Sequence, residues 1–345
     1  MRDLDLKEQL EKNRLKEMDI FKAIAIVSVV YGHVLANTAG LYTGFISFVH
    51  MPVFYFVSGF FLYKELKKYS EKELIKKKCR RLLVPYFVWS LVAFMASNAL
   101  IVLQKGFDIG VVLDEAVQVF IYSRSVWFFI QLFFAHSLFI LIHRITDKKE
   151  LRAVINVGVW AVLIVFCDTE LFCMWKIKWL YGFLLLGYIC SEYEILTRLK
   201  SCKKFVPVVM FIICAACWIA VTLLTSGAYA TDLIYGFDDR AFSAETFAVE
   251  LSVWLCGLTG MVTIYLVSLF IAEFSKLDIL YRLGSYTLDL YVAHMMIISF
   301  IKMIPVPQDH AFEVSFVIAV FVIIVPIYLL VKYILRKIKL YRMVT

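Results

Sequence analysis

The chain has 345 residues, 62% hydrophobic and only 19% charged, with a mean hydropathy of +0.81. Soluble domains are roughly 45–50% apolar, so this composition excludes a soluble globular fold. The net charge of +8 does not point to nucleic acid, because the basic residues fall between apolar runs instead of gathering on one continuous face.

Residues 1–19 are charged throughout and lack the apolar core of a signal peptide, so they read as a cytoplasmic lead-in. Ten candidate spans follow, near 20–38, 44–63, 82–103, 126–142, 153–167, 177–191, 205–225, 249–272, 284–304 and 312–335. Most have about the 17–25 residues that carry a helix across roughly 30 Å of hydrocarbon, the fifth and sixth being the shortest. The expected fold is all-α: a polytopic membrane bundle of about ten transmembrane helices, one domain over 20–337, with a tail at 338–345. Thirty of the 36 Lys and Arg residues fall in alternate connecting segments beginning with the N-terminal one, and six fall in the others. That asymmetry places both termini in the cytoplasm.

Of the two longer outer loops, 104–125 and 226–248, the second mixes Asp232, Asp238, Asp239, Arg240 and Glu245 with Tyr229, Tyr235 and Phe237. Such a mixture suits a sugar acceptor and equally suits an ordinary solvated loop. Cys214 and Cys217 form a C-x-x-C inside an apolar run, where they read as packing residues; no metal site is expected. Pairing of Cys167 with Cys173 is left open, as is assembly into a homo-oligomer.

The first span carries the sharpest signal. At 100° per residue, Lys22 and His33 lie within about 20° of each other and about 16 Å apart along the axis. Asp19 is about 40° from His33, and Asn37 is one turn beyond it. Ionisable groups at membrane depth are costly and face a bundle interior or a wet cavity. A neutral imidazole there suits a general base, although a packing histidine is the plainer reading. Before the third span, Lys76, Lys77, Lys78, Arg80 and Arg81 form a dense cluster with Pro85 just beyond. It reads either as a topology signal that meets anionic lipid headgroups or as a phosphate site suited to guanidinium forks. Among other polar residues, His50 starts the second span on the outer side and is a candidate acceptor contact. Asp289 and His294 point to opposite sides of their helix, and His136 reads as a satisfied core residue.

Several segments in order resemble the membrane acyltransferase-3 family, and within it the branch similar to fucose 4-O-acetylase. They are the basic residue ten positions before His in "DIFKAIAIVSVVYGHV", then "FVHMPVFYFVSGFFL", the Arg-rich entry "KKKCRRLLVPYFVW", and "VWFFIQLFFAHSLF". "YGFLLLGYIC" and "LGSYTLDLYVAHMMI" complete the series, over about residues 14–300. The resemblance implies transfer of an acyl group, usually acetyl, from cytoplasmic acyl-CoA to a hydroxyl of an extracytoplasmic or lipid-linked glycan, and a bacterial plasma membrane as the setting. It implies a catalytic His33, cofactor contacts at Lys22, Arg80 and Arg81, and a role for His294. Many members have Arg at the position of Lys22, so charge is kept here but bidentate geometry is not.

On this reading the phosphates of acetyl-CoA dock on Lys78, Arg80, Arg81 and Lys22. The thioester threads to His33, which removes the acceptor hydroxyl's proton; an acyl-His intermediate is the alternative. Ser58, Asn37 and Trp127 are candidate oxyanion donors, and Asp19 a partner for a cation at the mouth. The competing reading is a transporter or flippase of a glycan or small polar substrate, which would share the spans and the buried His but would need no CoA site.

Overall fold

A computed structural model describes residues 15–34, 49–123, 126–225, 243–274, 278–288, 290–292 and 294. About 90% of these are helical, and no strand occurs among them. This is what hydrocarbon demands, since a helix satisfies its own backbone hydrogen bonds where no water can. The helices are α1 (Lys16–Val34), α2 (His50–Lys68), α3 (Glu71–Lys105), α4 (Ile109–Ala116), α5 (Trp127–Ile145) and α6 (Lys149–Phe166). After a 3₁₀ turn at Leu171–Lys176 come α7 (Ile177–Glu192), α8 (Ile195–Ser201), α9 (Phe205–Thr225), α10 (Ala244–Phe274) and α11 (Asp278–Ser285).

Among the described residues, four helices are long and apolar enough to cross a membrane: Glu71–Lys105, Trp127–Ile145, Phe205–Leu224 and Phe247–Glu273. They occupy the predicted third, fourth, seventh and eighth spans. Helices also stand at the first, second, fifth and sixth predicted positions, as α1, α2, α6 and α7, but these are 16–19 residues long and carry charged residues at their ends. The tenth span, most of the ninth and both terminal segments lie outside the described residues. So does most of the 226–248 loop. The loop expected at 104–125 is partly helical: Asp108 caps α4 by accepting from Gly110 N at 2.7 Å.

The core is set by close backbone contact. Without a hydrophobic drive between helices in lipid, small residues at crossings provide the packing. A Cβ on Gly59 of α2 would collide with the Leu184 carbonyl of α7, and one on Gly187 of α7 with the Phe56 carbonyl of α2. α1 packs on α2, α10 and α11, where Gly284 lies against the Asp19 carbonyl. α9 contacts α10 and presents Phe205, Val208, Ile212 and Leu223 outward, as a lipid-facing helix should.

Buried ion pairs fasten the ends of the bundle. Arg152 of α6 reaches Glu192 of α7 at 2.6 Å and His143 Nδ1 of α5 at 2.7 Å. Toward the other end of α7, Lys178 lies between Asp168 at 2.7 Å and Glu250 of α10 at 2.8 Å. Cys167 and Cys173 are free thiols: the Cys167 thiol donates to the Met174 carbonyl at 3.4 Å and Cys173 to the Tyr122 carbonyl at 3.0 Å, so they do not pair.

Candidate active site

Two polar regions are strung along α1. The first is a cavity of about 520 Å³ at its basic end. α2 supplies one whole wall: Phe54, Val57, Ser58, Phe61, Lys64, Glu65 and Lys68 recur at the i, i+3, i+4 spacing that keeps residues on one helical face. Lys22 of α1 and Lys77, Lys78 and Arg81 of α3 complete the charged part, while Phe128 and Leu132 of α5 close the apolar part.

α3 aims its cations through a local break in helical geometry. The turn Cys79–Leu83 is a π-helix immediately before Pro85. Pro85 has no N–H to return to the Arg81 carbonyl, and the widened turn accommodates that loss. Lys78 is buried, whereas Arg80 and Arg81 are exposed. Arg81 lines the cavity; Arg80 lies on the outer surface beside it.

Glu65 holds the cations together. Its carboxylate lies 2.5 Å from Lys78 Nζ, 2.9 Å from Lys77 Nζ and 3.7 Å from Arg81 Nη1. These groups sit beyond the apolar stretches 44–63 and 82–103. Burial alone would raise the Glu65 carboxyl, but the charges and hydrogen bonds of Lys78 and Lys77 bring it below the usual carboxylate range. Burial pushes the Lys78 amine down, and Glu65 only partly offsets this. Lys22 is paired with Asp19 at 2.8 Å, one turn earlier on α1.

The second region is farther along α1, where the His33 ring lies 5.2 Å from that of His294, centroid to centroid and tilted by 45°. His294 is fully buried, and its Nδ1 is 3.1 Å from the Leu290 carbonyl. Its Nε2 is buried with no hydrogen-bond partner among the described residues. A buried polar nitrogen left unsatisfied costs on the order of 1–3 kcal/mol, so such an atom calls for an explanation.

Aromatic rings separate the two regions. Phe128, in the cavity wall, packs on Tyr291 at 5.4 Å, and Tyr291 packs on His294 at 5.5 Å. His33 and His294 do not line the cavity; Ser58 does. Ser58 Oγ lies 2.8 Å from His136 Nε2 of α5. His136 is buried and its Nδ1 has no partner, so it is only half satisfied and not the fully satisfied core residue expected from sequence.

Of the other residues singled out from sequence, Trp127 is half-buried at the start of α5, with Lys176 Nζ 4.2 Å over its ring, away from the cavity. His50 is half-buried at the start of α2. Asn37 and the Asp289 side chain lie outside the described residues. Sequence reading missed Glu65, Lys64 and Lys77 as cavity residues. Glu65 stands seven positions after Ser58, on the same helical face, and that spacing was the available signal.

No curated protein and no solved structure matches the chain significantly. A family model described as "Acyltransferase domain" matches residues 15–335, nearly the whole sequence. That match embraces both polar regions and the helices between them, and so the chain belongs to the acyltransferase-3 family and is a membrane acyltransferase.

Proposed function

We propose that this protein is an O-acetyltransferase of the bacterial plasma membrane, of the kind resembling fucose 4-O-acetylase. It takes acetyl from cytoplasmic acetyl-CoA and places it on a hydroxyl of an extracytoplasmic or lipid-linked glycan. The observation that carries the reading is a basic cavity at one end of α1 and, farther along the same helix, His33 packed against the buried His294. Lys22, Lys78 and Arg81 are cations that suit the phosphates of CoA, and the apolar walls beyond them suit a thin acyl-pantetheine arm. Arg80 extends the basic surface toward the donor and toward anionic lipid headgroups.

His33 then acts as general base on the acceptor hydroxyl, and His294, with its open Nε2, lies against it to steady the imidazole or the acceptor. Proton removal by a positioned imidazole contributes roughly 10²–10⁴-fold. Trp127, His50 and Asn37 belong to the acceptor side in this reading. Asp19 keeps Lys22 in place.

The test is equilibrium binding of labelled acetyl-CoA to the purified protein, followed by transfer to surface polysaccharide from a strain lacking the gene. Wild type binds and transfers; His33→Ala binds with unchanged affinity and does not transfer. A wild-type protein that neither binds nor turns over acetyl-CoA would falsify the reading and favour a transporter.

A further inference from the structure

The cavity that opens between the basic side chains does not reach His33. Its apolar end is closed by Phe54, Phe128 and Leu132, and the hydroxyl found there belongs to Ser58. Ser58 is about 10 Å along α2 from Glu65, at 1.5 Å per residue. Ser58 therefore supplies the hydroxyl at the apolar end, where the acyl end of a donor anchored by its phosphates at the basic end would lie. On the far side of the Phe128–Tyr291 aromatic contact stands the histidine pair.

Ser58 also has the partner that a nucleophile needs. His136 Nε2 is 2.8 Å from Ser58 Oγ, within the range for a serine–base pair. The imidazole is buried, and its Nδ1 has no hydrogen-bond partner among the described residues. A purely structural hydrogen bond between α2 and α5 would not require Ser58 to open into a cavity.

We propose that Ser58 is a catalytic acyl carrier, activated by His136, so that transfer proceeds in two half-reactions. This rests on the acetyl-CoA reading above. In the first, Ser58 Oγ attacks the thioester carbonyl and its proton passes to His136 Nε2. The C–S bond breaks, the serine ester forms, and the proton leaves on the CoA thiol. In the second, the acceptor hydroxyl attacks the serine ester. Its proton passes to His136 Nε2 beside the ester, the ester bond to Ser58 breaks, and that proton returns to Ser58 Oγ. No oxidant, reductant or further reactant enters, and the arrangement spares acceptor and donor from occupying one chamber together.

The experiment uses the full-length protein in detergent with acetyl-labelled acetyl-CoA and no acceptor. Wild type should acquire close to one acetyl group per chain, on the peptide containing Ser58, as an ester stable at neutral pH. It should also exchange label between free CoA and acetyl-CoA. Ser58→Ala should bind acetyl-CoA as wild type does, which shows that it is folded, and acquire no label. Ser58→Cys should regain label as a thioester released by neutral hydroxylamine, a result independent of whether the Ala variant folds. His136→Asn should slow labelling by roughly 10²-fold or more, while His33→Ala should still label and stall. A wild type that transfers acetyl to glycan yet carries no label, or carries it on a histidine, overturns the acyl carrier and leaves the acetyltransferase reading standing. Absence of acetyl-CoA binding overturns the acetyltransferase reading itself.

Discussion

Lys22 and His33 share a helix face, yet their surroundings are built on opposite plans. Around Lys22, charge is redundant: Lys64, Lys68, Lys77, Lys78 and Arg81 share one cavity with Glu65, and most of them are reached by solvent. Around His33, the described neighbour is His294, which is fully buried, and the packing partner of His294, Tyr291, is 5% exposed. A diffuse cationic surface attracts and anchors an anion through many weak contributions. A half-buried imidazole packed on a fully buried one concentrates its effect in one or two groups, because a low dielectric magnifies each. Single substitutions should therefore matter steeply at one end and gently at the other.

The largest effect is expected at His33. His33→Ala should lower kcat by about 10²–10⁴-fold with little change in acetyl-CoA affinity. His294→Phe fills the same space without nitrogen and tests whether the pair, and not one ring, is required; its kcat should fall while donor binding persists. If either variant mainly weakened donor binding, the separation of the two regions would be wrong.

Gly187→Val attacks the frame that holds both regions. The new side chain meets the Phe56 carbonyl and must push α2 away from α7, displacing the face that carries Ser58 and Glu65. Overpacking of this kind costs about 1–3 kcal/mol. A lowered melting temperature in detergent, with kcat and donor affinity falling together, is the expected result. At Gly158, where a Cβ meets nothing within 4 Å, the corresponding change to Ala should leave the melting temperature within a degree or two, as expected for a substitution away from packing features.

How much of this was legible in the sequence follows from range. The helical class, the positions of α3, α5, α9 and α10, and the Lys22–His33 stripe all arise from local periodicity and hydropathy, which a sequence displays directly. The nearness of His33 to His294 spans most of the chain and could be approached only through the resemblance. The Ser58–His136 contact joins two helices 78 residues apart, and nothing in either segment announces it. Glu65 was overlooked among nine neighbouring lysines and arginines because charge counting records the sign of a segment and not which side chains converge. The small helix α4 lies where a loop was expected; it is short, and Gly106, Gly110 and Asp108 mask its apolar pattern.

At the basic end, Lys78 should give a pH signature. Its amine lies below the ordinary lysine value of about 10.4 because burial disfavours the charged form. It therefore loses its proton as pH rises while exposed lysines keep theirs, and KM for acetyl-CoA should climb before the usual lysine range. Lys78→Arg, which stays charged, should flatten that rise; Lys78→Gln should remove it and raise KM about tenfold at neutral pH, the scale of a lost hydrogen bond to a charged group. For stability the same shift has the opposite sense. The unfolded chain binds this proton more tightly, so the burial penalty on Lys78 is present at neutral pH and shrinks as pH rises. Glu65, held low, contributes stability above the ordinary carboxylate range that is lost as pH falls through its lowered value.

The smallest effects belong to the two arginines, and they sharpen the contrast most finely. Arg81 is 58% exposed and 3.7 Å from Glu65, so its ion pair is worth at most about 1 kcal/mol. Arg81→Ala should raise KM for acetyl-CoA about threefold to fivefold, since it lines the cavity and its fork suits a phosphate. Arg80→Ala should change it by less than about twofold at physiological salt, because an exposed charge outside the cavity is screened within about 8 Å. The ratio of the two should grow as salt rises, since the long-range contribution shared by both is screened first and the contact made by Arg81 alone remains. Equal losses from both substitutions at every salt concentration would mean that the donor is held by the whole basic surface and that the cavity has no privileged role in its recognition.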